Sequence, residues 1–358
     1  MLAPDIRRVV VFRALMVGDM LCATPALRAL RHGLPNAHIA LVGLPWARAW
    51  VERLASVDEF IEFPGWPGLP ERSPADARSR LDFLLELGAR DFDLALQLHG
   101  SGAIVNTLTA AFGARLNAGF WTRGGSAPAD DAVRFLPWPE TGTEVERLLA
   151  LTDHLGLPRQ GLQLDFPLCD DDRAQAHALL QADGVAPTGA RGAQRWVLVH
   201  PGSQWPSRRW PVERFAAVAD RLADQGCHIA LTGGPGEVEL TRAVAQAMKA
   251  PSRDLAGRTS LWSLGALVER ASLVVCNDTG ISHVAAALRT PTVVVSSGSD
   301  VRRWSPDDAL RHVVLWHDMP CRPCNHAVCP IDNACAQAVE PAAVERVALR
   351  QLQHAATA

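Results

Sequence analysis

Short apolar runs alternate with amphipathic stretches along most of this 358-residue chain. In the first half, the short apolar runs at residues 8–12, 38–42, 58–63, 92–98 and 115–120 read as strands. Residues 21–32, 46–55, 74–88 and 101–112 repeat apolar side chains at helical spacing between them. Strands spaced by helices of this length predict a parallel sheet covered on both faces. The rhythm then pauses at 124–139, rich in Gly, Ala, Asp and Pro, which reads as a mobile loop. Helices are expected at 143–155 and 170–183, before a linker-like stretch at 186–195. Alternation restarts with strands at 196–199, 227–231, 273–276, 292–296 and 313–316, and helices at 212–225, 237–248, 260–270, 280–288 and 341–353. The pattern predicts an α/β protein of two doubly wound, Rossmann-like parallel-sheet domains facing across a cleft, with ligand loops at the carboxyl ends of strands. We place the domains at 1–185 and 196–338, with 339–358 as a terminal helical segment.

Composition narrows the class. Hydrophobic residues make up 48% and charged residues 20%, the balance of a globular chain rather than a disordered one. A formal net charge of −3 offers no general basic field for nucleic acid. No run approaches the ~18 to 20 apolar residues that a membrane span needs, and Met1–Val11 is too short for a secretory signal. The expectation is a cytoplasmic protein whose eight cysteines are reduced thiols.

Four constellations at strand ends could carry chemistry. The first runs from Phe12 and Arg13 to Gly18 and Asp19, followed by Thr24-Pro25-Ala26-Leu27. A carboxylate there faces the predicted cleft and can act as a general base if held near a hydroxyl; the plainer reading makes Asp19 the cap of a helix starting near Met20. The second is the loop from His200 to Pro211. Gly202 and Ser203 offer backbone and hydroxyl donors to an anion, and Arg208 or Arg209 can fork onto phosphate oxygens. Neither a Walker motif nor Gly-x-Gly-x-x-Gly is present, which disfavours a conventional dinucleotide site. The third, Leu231 to Glu239, combines Gly233, Gly234 and Gly236 with acids able to accept hydrogen bonds from a ribose diol. The fourth is Asn277-Asp278-Thr279-Gly280-Ile281-Ser282-His283, where an apolar strand runs straight into a helix start. Unpaired N–H groups and the helix dipole there suit a phosphate. Asp278 and Thr279 can cap the helix, Gly280 permits close approach, and His283 lies one turn on.

Cys321, Cys324, Cys329 and Cys335 are separated by two, four and five residues. In a reducing compartment that spacing suggests a structural zinc or iron site, weighed against thiols that only share a compact loop.

Together these motifs resemble glycosyltransferase family 9, the ADP-heptose heptosyltransferases of lipopolysaccharide core assembly. The resemblance rests on Arg13 with Gly18-Asp19, Thr24-Pro25-Ala26-Leu27, His200-Pro201-Gly202 with Arg209-Trp210-Pro211, Gly233-Gly234-Pro235, and Asn277-Asp278-Thr279-Gly280 with His283. It implies a GT-B fold, with acceptor bound by the N-terminal domain, donor by the C-terminal one, and the last helix crossing back to the first domain. It also implies inverting heptose transfer from an ADP-sugar to lipopolysaccharide, with no cofactor required and the protein cytoplasmic or peripheral at the inner membrane. Asp19 would be the base. Gly202, Ser203, Arg208, Thr279 and Gly280 would meet the departing diphosphate, Glu237 or Glu239 the ribose, and Asp278 and His283 donor hydroxyls or phosphate. Arg13, Arg48 and Arg123 could meet an acidic, lipid-linked acceptor, weighed against the reading of each as a solvated surface charge. The family commonly has lysine where this chain has Arg208. Alternatives are a protein acceptor, a non-catalytic nucleotide-sugar binder, and a Rossmann dehydrogenase, which the missing glycine fingerprint disfavours.

Overall fold

Every predicted strand forms, and the central ones are runs of side chains buried on both faces, as parallel sheets require. The computed structural model describes residues 5–122, 129–181 and 195–357. It divides into two units, Met1–Pro167 and Leu168–Ala358.

The first unit contains strands β1 (Arg8–Phe12), β2 (His38–Gly43), β3 (Glu59–Glu62), β4 (Leu94–Gln97), β5 (Leu116–Trp121) and β6 (Phe135–Pro137). They form one parallel sheet in the order β3-β2-β1-β4-β5-β6. Its helices are α1 (Val17–Cys22), α2 (Thr24–Gly33), α3 (Arg48–Val51), α4 (Ala77–Gly88), α5 (Val105–Ala110) and α6 (Glu144–His154). The single helix expected at 21–32 is two helices, parted at Ala23 with Pro25 opening the second. The start of α6 is fixed by a capping box, in which Glu146 N–H donates to Thr143 Oγ1 at 3.2 Å and Thr143 N–H to Glu146 Oε2 at 2.7 Å. Phe12, Phe63, Phe83 and Phe112 pack edge to face on one side of the sheet.

The second unit begins with α7 (Asp170–Gln181) and continues through β7 (Arg195–His200), α8 (Val212–Asp224), β8 (Cys227–Leu231), α9 (Val238–Ala247), β9 (Ser252–Asp254) and α10 (Leu261–Arg270). It ends with β10 (Leu273–Asn277), α11 (Gly280–Ala287), β11 (Thr292–Val295), α12 (Val301–Trp304), β12 (His312–Leu315), α13 (Ala334–Gln337) and α14 (Pro341–Thr357). The sheet order is β12-β11-β10-β7-β8-β9, again all parallel. Counted within its unit, each sheet has the doubly wound order 3-2-1-4-5-6, whose strand direction of winding reverses between the first and fourth strands. Helix α8 buries Phe215, Ala216, Val218, Ala219 and Leu222, one face at helical spacing. Each large side chain on it contributes on the order of 2 kcal/mol by leaving water.

Three expectations are corrected. The loop expected at 124–139 contains β6, and β9 is a strand that the apolar pattern does not reveal; both are three-residue edge strands. Helix α7 packs on α10 and Arg173 grips Glu269 through two hydrogen bonds of 2.8 and 3.0 Å, so it belongs to the second unit and the division falls before it. The expected linker at 186–195 lies, apart from Arg195, outside the described residues. Helix α14 places Val344, Val347, Ala348 and Leu352 in the core of the second unit against α8, β10 and β11, so it belongs to that unit and not, as expected, to the first. Among the described residues no helix is long and apolar enough to cross a membrane.

Candidate active site

In the second unit the ends of β7, β8, β10 and β11 are tied together by polar side chains. Asn277, the last residue of β10, is fully buried; its Oδ1 accepts from Trp210 N–H at 2.9 Å and its Nδ2 donates to Pro201 O at 2.8 Å. That amide bridges the point where the sheet order reverses, the place where open α/β sheets bind ligands. Arg209 adds a second tie, donating from Nε and Nη2 to Ser203 O at 3.0 and 2.8 Å. Ser203 is thereby buried beside Gly202.

Glu237 closes the same loop from β8. Its Oε2 accepts from Gly234 N–H at 2.7 Å, and a β-carbon built on Gly202 would stand 2.1 Å from its Oε1. Glycine at 202 is therefore a steric requirement of the carboxylate's position. His200 is buried behind it, with Nδ1 3.0 Å from Thr232 Oγ1 and Nε2 3.9 Å from Glu237 Oε2. Burial lowers the imidazole pKa, against the pull of the Glu237 charge. Glu239, the other acid considered for the ribose, is 82% exposed and pairs with Arg242. The geometry therefore favours Glu237 over Glu239.

Arg208 lies at the end of β11. Nη1 donates to Ser297 O at 2.8 Å, Nη2 donates to Cys324 O, and the guanidinium stands 5.6 Å from the Trp205 ring. Gly298 has φ +68°, and a β-carbon there would come within 2.9 Å of Arg208 Nη1 and 2.8 Å of Cys324 Sγ. Asp278 turns toward the same loop, where Ser299 Oγ and Ser296 Oγ both donate to its Oδ2. Thr279 is the N-cap residue of α11 through its backbone, and its hydroxyl makes no capping bond. Gly280 opens that helix. His283 is 6% exposed and packs edge-on to Trp304, so it lines the base of the corner rather than its open face.

The cysteine-rich segment is a strap over these loops. Cys324 N–H donates to Gly298 O at 2.8 Å, Ser207 N–H to Ala327 O at 3.1 Å, and Arg322 Nη1 to Ser296 O at 2.9 Å. Among the described residues no three His, Cys, Asp or Glu side chains converge as metal ligands. The expectation for Cys321, Cys324, Cys329 and Cys335 is corrected accordingly. Cys335 is buried in α13, Cys321 is exposed, and Cys324 is pressed onto Gly298, so the four thiols serve different surroundings.

In the first unit Asp19 lies in the first turn of α1, whose N-cap is Met16, so it is not a capping residue. Its backbone oxygen accepts from Arg13 Nε at 2.9 Å and Nη2 at 2.7 Å. Arg13 is fully buried, donates from Nη1 to Leu98 O, and pairs with Glu144 at 3.2 Å. It cannot meet a solvent-borne acceptor, and that expectation is replaced by a role in holding the Asp19 loop. Arg48 is 50% exposed, 3.8 Å from Glu62 and 4.8 Å over the Phe60 ring. Arg123 lies outside the described residues. Asn277 stood within a sequence motif without a role of its own; its signal was a polar residue directly after a fully apolar strand.

Residues 80–335 match the model of glycosyltransferase family 9 (heptosyltransferase). The chain is 27% identical over 297 residues to lipopolysaccharide heptosyltransferase 2 of Escherichia coli K12, covering 81% of each. Among solved structures, the family 9 glycosyl transferase of Veillonella parvula DSM 2008 superposes with TM-score 0.77 at 22% identity, over 98% of both chains. Escherichia coli heptosyltransferase WaaC with ADP-2-deoxy-2-fluoro heptose superposes with TM-score 0.65 at 21% identity, over 95% of this chain and 98% of that one. The fold is thus of the GT-B class. With the family model covering most of its length, this chain is a transferase enzyme that belongs to glycosyltransferase family 9.

Proposed function

We propose that the protein transfers heptose from ADP-heptose to the inner core of lipopolysaccharide, with inversion at the anomeric carbon. The observation that carries this reading is the convergence of Gly202, Glu237, Asn277 and Arg208 at four strand ends of one sheet. The carboxylate of Glu237 suits a ribose diol. Gly202 and Ser203, the remaining N–H groups of Arg208, and the start of α11 at Thr279 and Gly280 suit a diphosphate. The relatives support the sugar: one is a lipopolysaccharide heptosyltransferase, and a structural neighbour carries an ADP-heptose analogue.

Asp19 takes the proton from the acceptor hydroxyl as its oxygen attacks the anomeric carbon, and ADP departs from the opposite face. The hydroxyl gains the new glycosidic bond, the carbon–phosphate oxygen bond breaks, and the leaving charge is met by Arg208 and the backbone donors. Neither proton transfer nor departure calls for a cofactor. Asp278 and His283 shape the floor under the sugar, and Arg48 meets negative charge on a lipid-linked acceptor at the inner membrane.

Calorimetry with ADP, GDP, UDP and NAD tests the donor. ADP should bind most tightly, and NAD binding without a response to ADP would remove the transferase reading. Mass spectrometry of heptose-deficient lipopolysaccharide after incubation with ADP-heptose tests the acceptor, through gain of one heptose. Labelling of a protein acceptor alone would redirect it.

A further inference from the structure

We infer that His99 is a positioning residue for the loop that carries Asp19, the partner of Arg13 in fixing where that carboxylate stands. His99 follows the end of β4, beside the end of β1, and is 5% exposed. Its Nδ1 accepts from Ala14 N–H at 3.1 Å, so a neutral ring carries its proton on Nε2. Nε2 lies 3.5 Å from Glu71 Oε1, a residue of the loop after β3. Phe12 stacks on the ring at 5.0 Å, and Gln97 Nε2 donates to His99 O at 2.6 Å. Ring and backbone are therefore both held.

The contact matters because of where Ala14 stands. The ladder from β1 to β2 ends with Arg13 N–H donating to Val42 O at 3.1 Å, and Ala14, fully buried, is the next residue. Its N–H would have no ladder partner, and His99 supplies one. The segment from Ala14 to Asp19 is then anchored at its start by His99 and at its end by the Arg13 clamp on Asp19 O. Glu71 holds the imidazole in the tautomer that accepts. Burial raises the Glu71 pKa, but the contact with His99 and the residue's own backbone N–H together outweigh it and keep the carboxyl below its usual range. Its Oε2 is buried without a protein donor, so Glu71 has one side-chain partner to give its position to.

This inference rests on Asp19 as the base, and the test separates the two. In His99→Asn an amide oxygen can stand where Nδ1 stood while the reach to Glu71 is lost; in His99→Gln the reach is kept and the acceptor for Ala14 is lost. Both are made in the full chain, with kcat and KM measured on ADP-heptose and heptose-deficient lipopolysaccharide, and amide hydrogen exchange followed over residues 14–19. Misplacing a catalytic group by a fraction of an ångström to an ångström should lower kcat of H99Q about tenfold to a hundredfold, with donor KM nearly unchanged and faster exchange in the segment. H99N should recover most of both. Equal losses in the two variants, or unchanged exchange in H99Q, would overturn the inference. Normal turnover in H99Q beside an inactive Asp19→Asn overturns it alone. If Asp19→Asn is active as well, the base assignment is what failed.

Discussion

The two units share one strand order and each closes its reversal point with a side-chain clasp, but the clasps differ in kind. In the second unit a single neutral amide, Asn277, donates to one strand-end loop and accepts from Trp210. In the first unit the job is divided: His99 receives Ala14 N–H, while the buried Arg13 spans Leu98 O, Asp19 O and Glu144. An amide is satisfied wherever two backbone groups face it. A buried guanidinium depends on its counter-charge, since desolvating an ion pair costs much of what the pairing returns. The proposed donor side should therefore be tolerant, and the side that carries the proposed base brittle.

The largest effect should follow from breaking the ionic clasp. Arg13→Met takes the guanidinium away from the buried Glu144 carboxylate and should cost about 3–5 kcal/mol in urea denaturation. Adding Glu144→Gln should restore a good part of that; no recovery would mean that Arg13 acts mainly through Asp19 O and Leu98 O. Acid comes next, and it should weaken the second unit. Burial depresses the His312 pKa from 6.5 to about 4, so the unfolded chain binds a proton that the folded one refuses. The stabilisation is complete above pH 6.5 and is lost as pH falls toward 4, by roughly 3 kcal/mol, with His200 adding in the same direction. His312→Gln should flatten that slope in denaturation curves recorded from pH 7.5 to 4.5. Asn277→Ala should be milder, about 1–3 kcal/mol for unpaired buried groups, accompanied by weaker ADP binding in calorimetry. A loss as large as that from Arg13→Met would erase the contrast between the two clasps.

The alternation of apolar runs sufficed to read the two sheets, because parallel strands are buried on both faces and announce themselves. The edge strands β6 and β9 did not, since three residues such as Ser252–Asp254 carry no periodicity. The strand-end loops of the second unit were legible from their glycines and acids, and Gly202 and Glu237 do meet. Arg13 was misread as an acceptor ligand because its counter-charge lies 131 residues away, and no local pattern signals that pairing. His99 escaped notice for the same reason: Ala14 is 85 residues distant. A polar residue at or just past a strand end beside the reversal point is the common signal of Asn277 and His99. Cysteine spacing, by contrast, could not distinguish convergent thiols from a segment whose backbone and Arg322 strap the strand-end loops.

The central claim is that the second unit binds the donor and Asp19 of the first supplies the base. Steady-state transfer by Asp19→Asn, paired with ADP titration of the same sample, tests it most directly. The account predicts that kcat falls about a hundredfold to ten-thousandfold while ADP affinity is preserved. Full turnover by Asp19→Asn with a competent acceptor would contradict it.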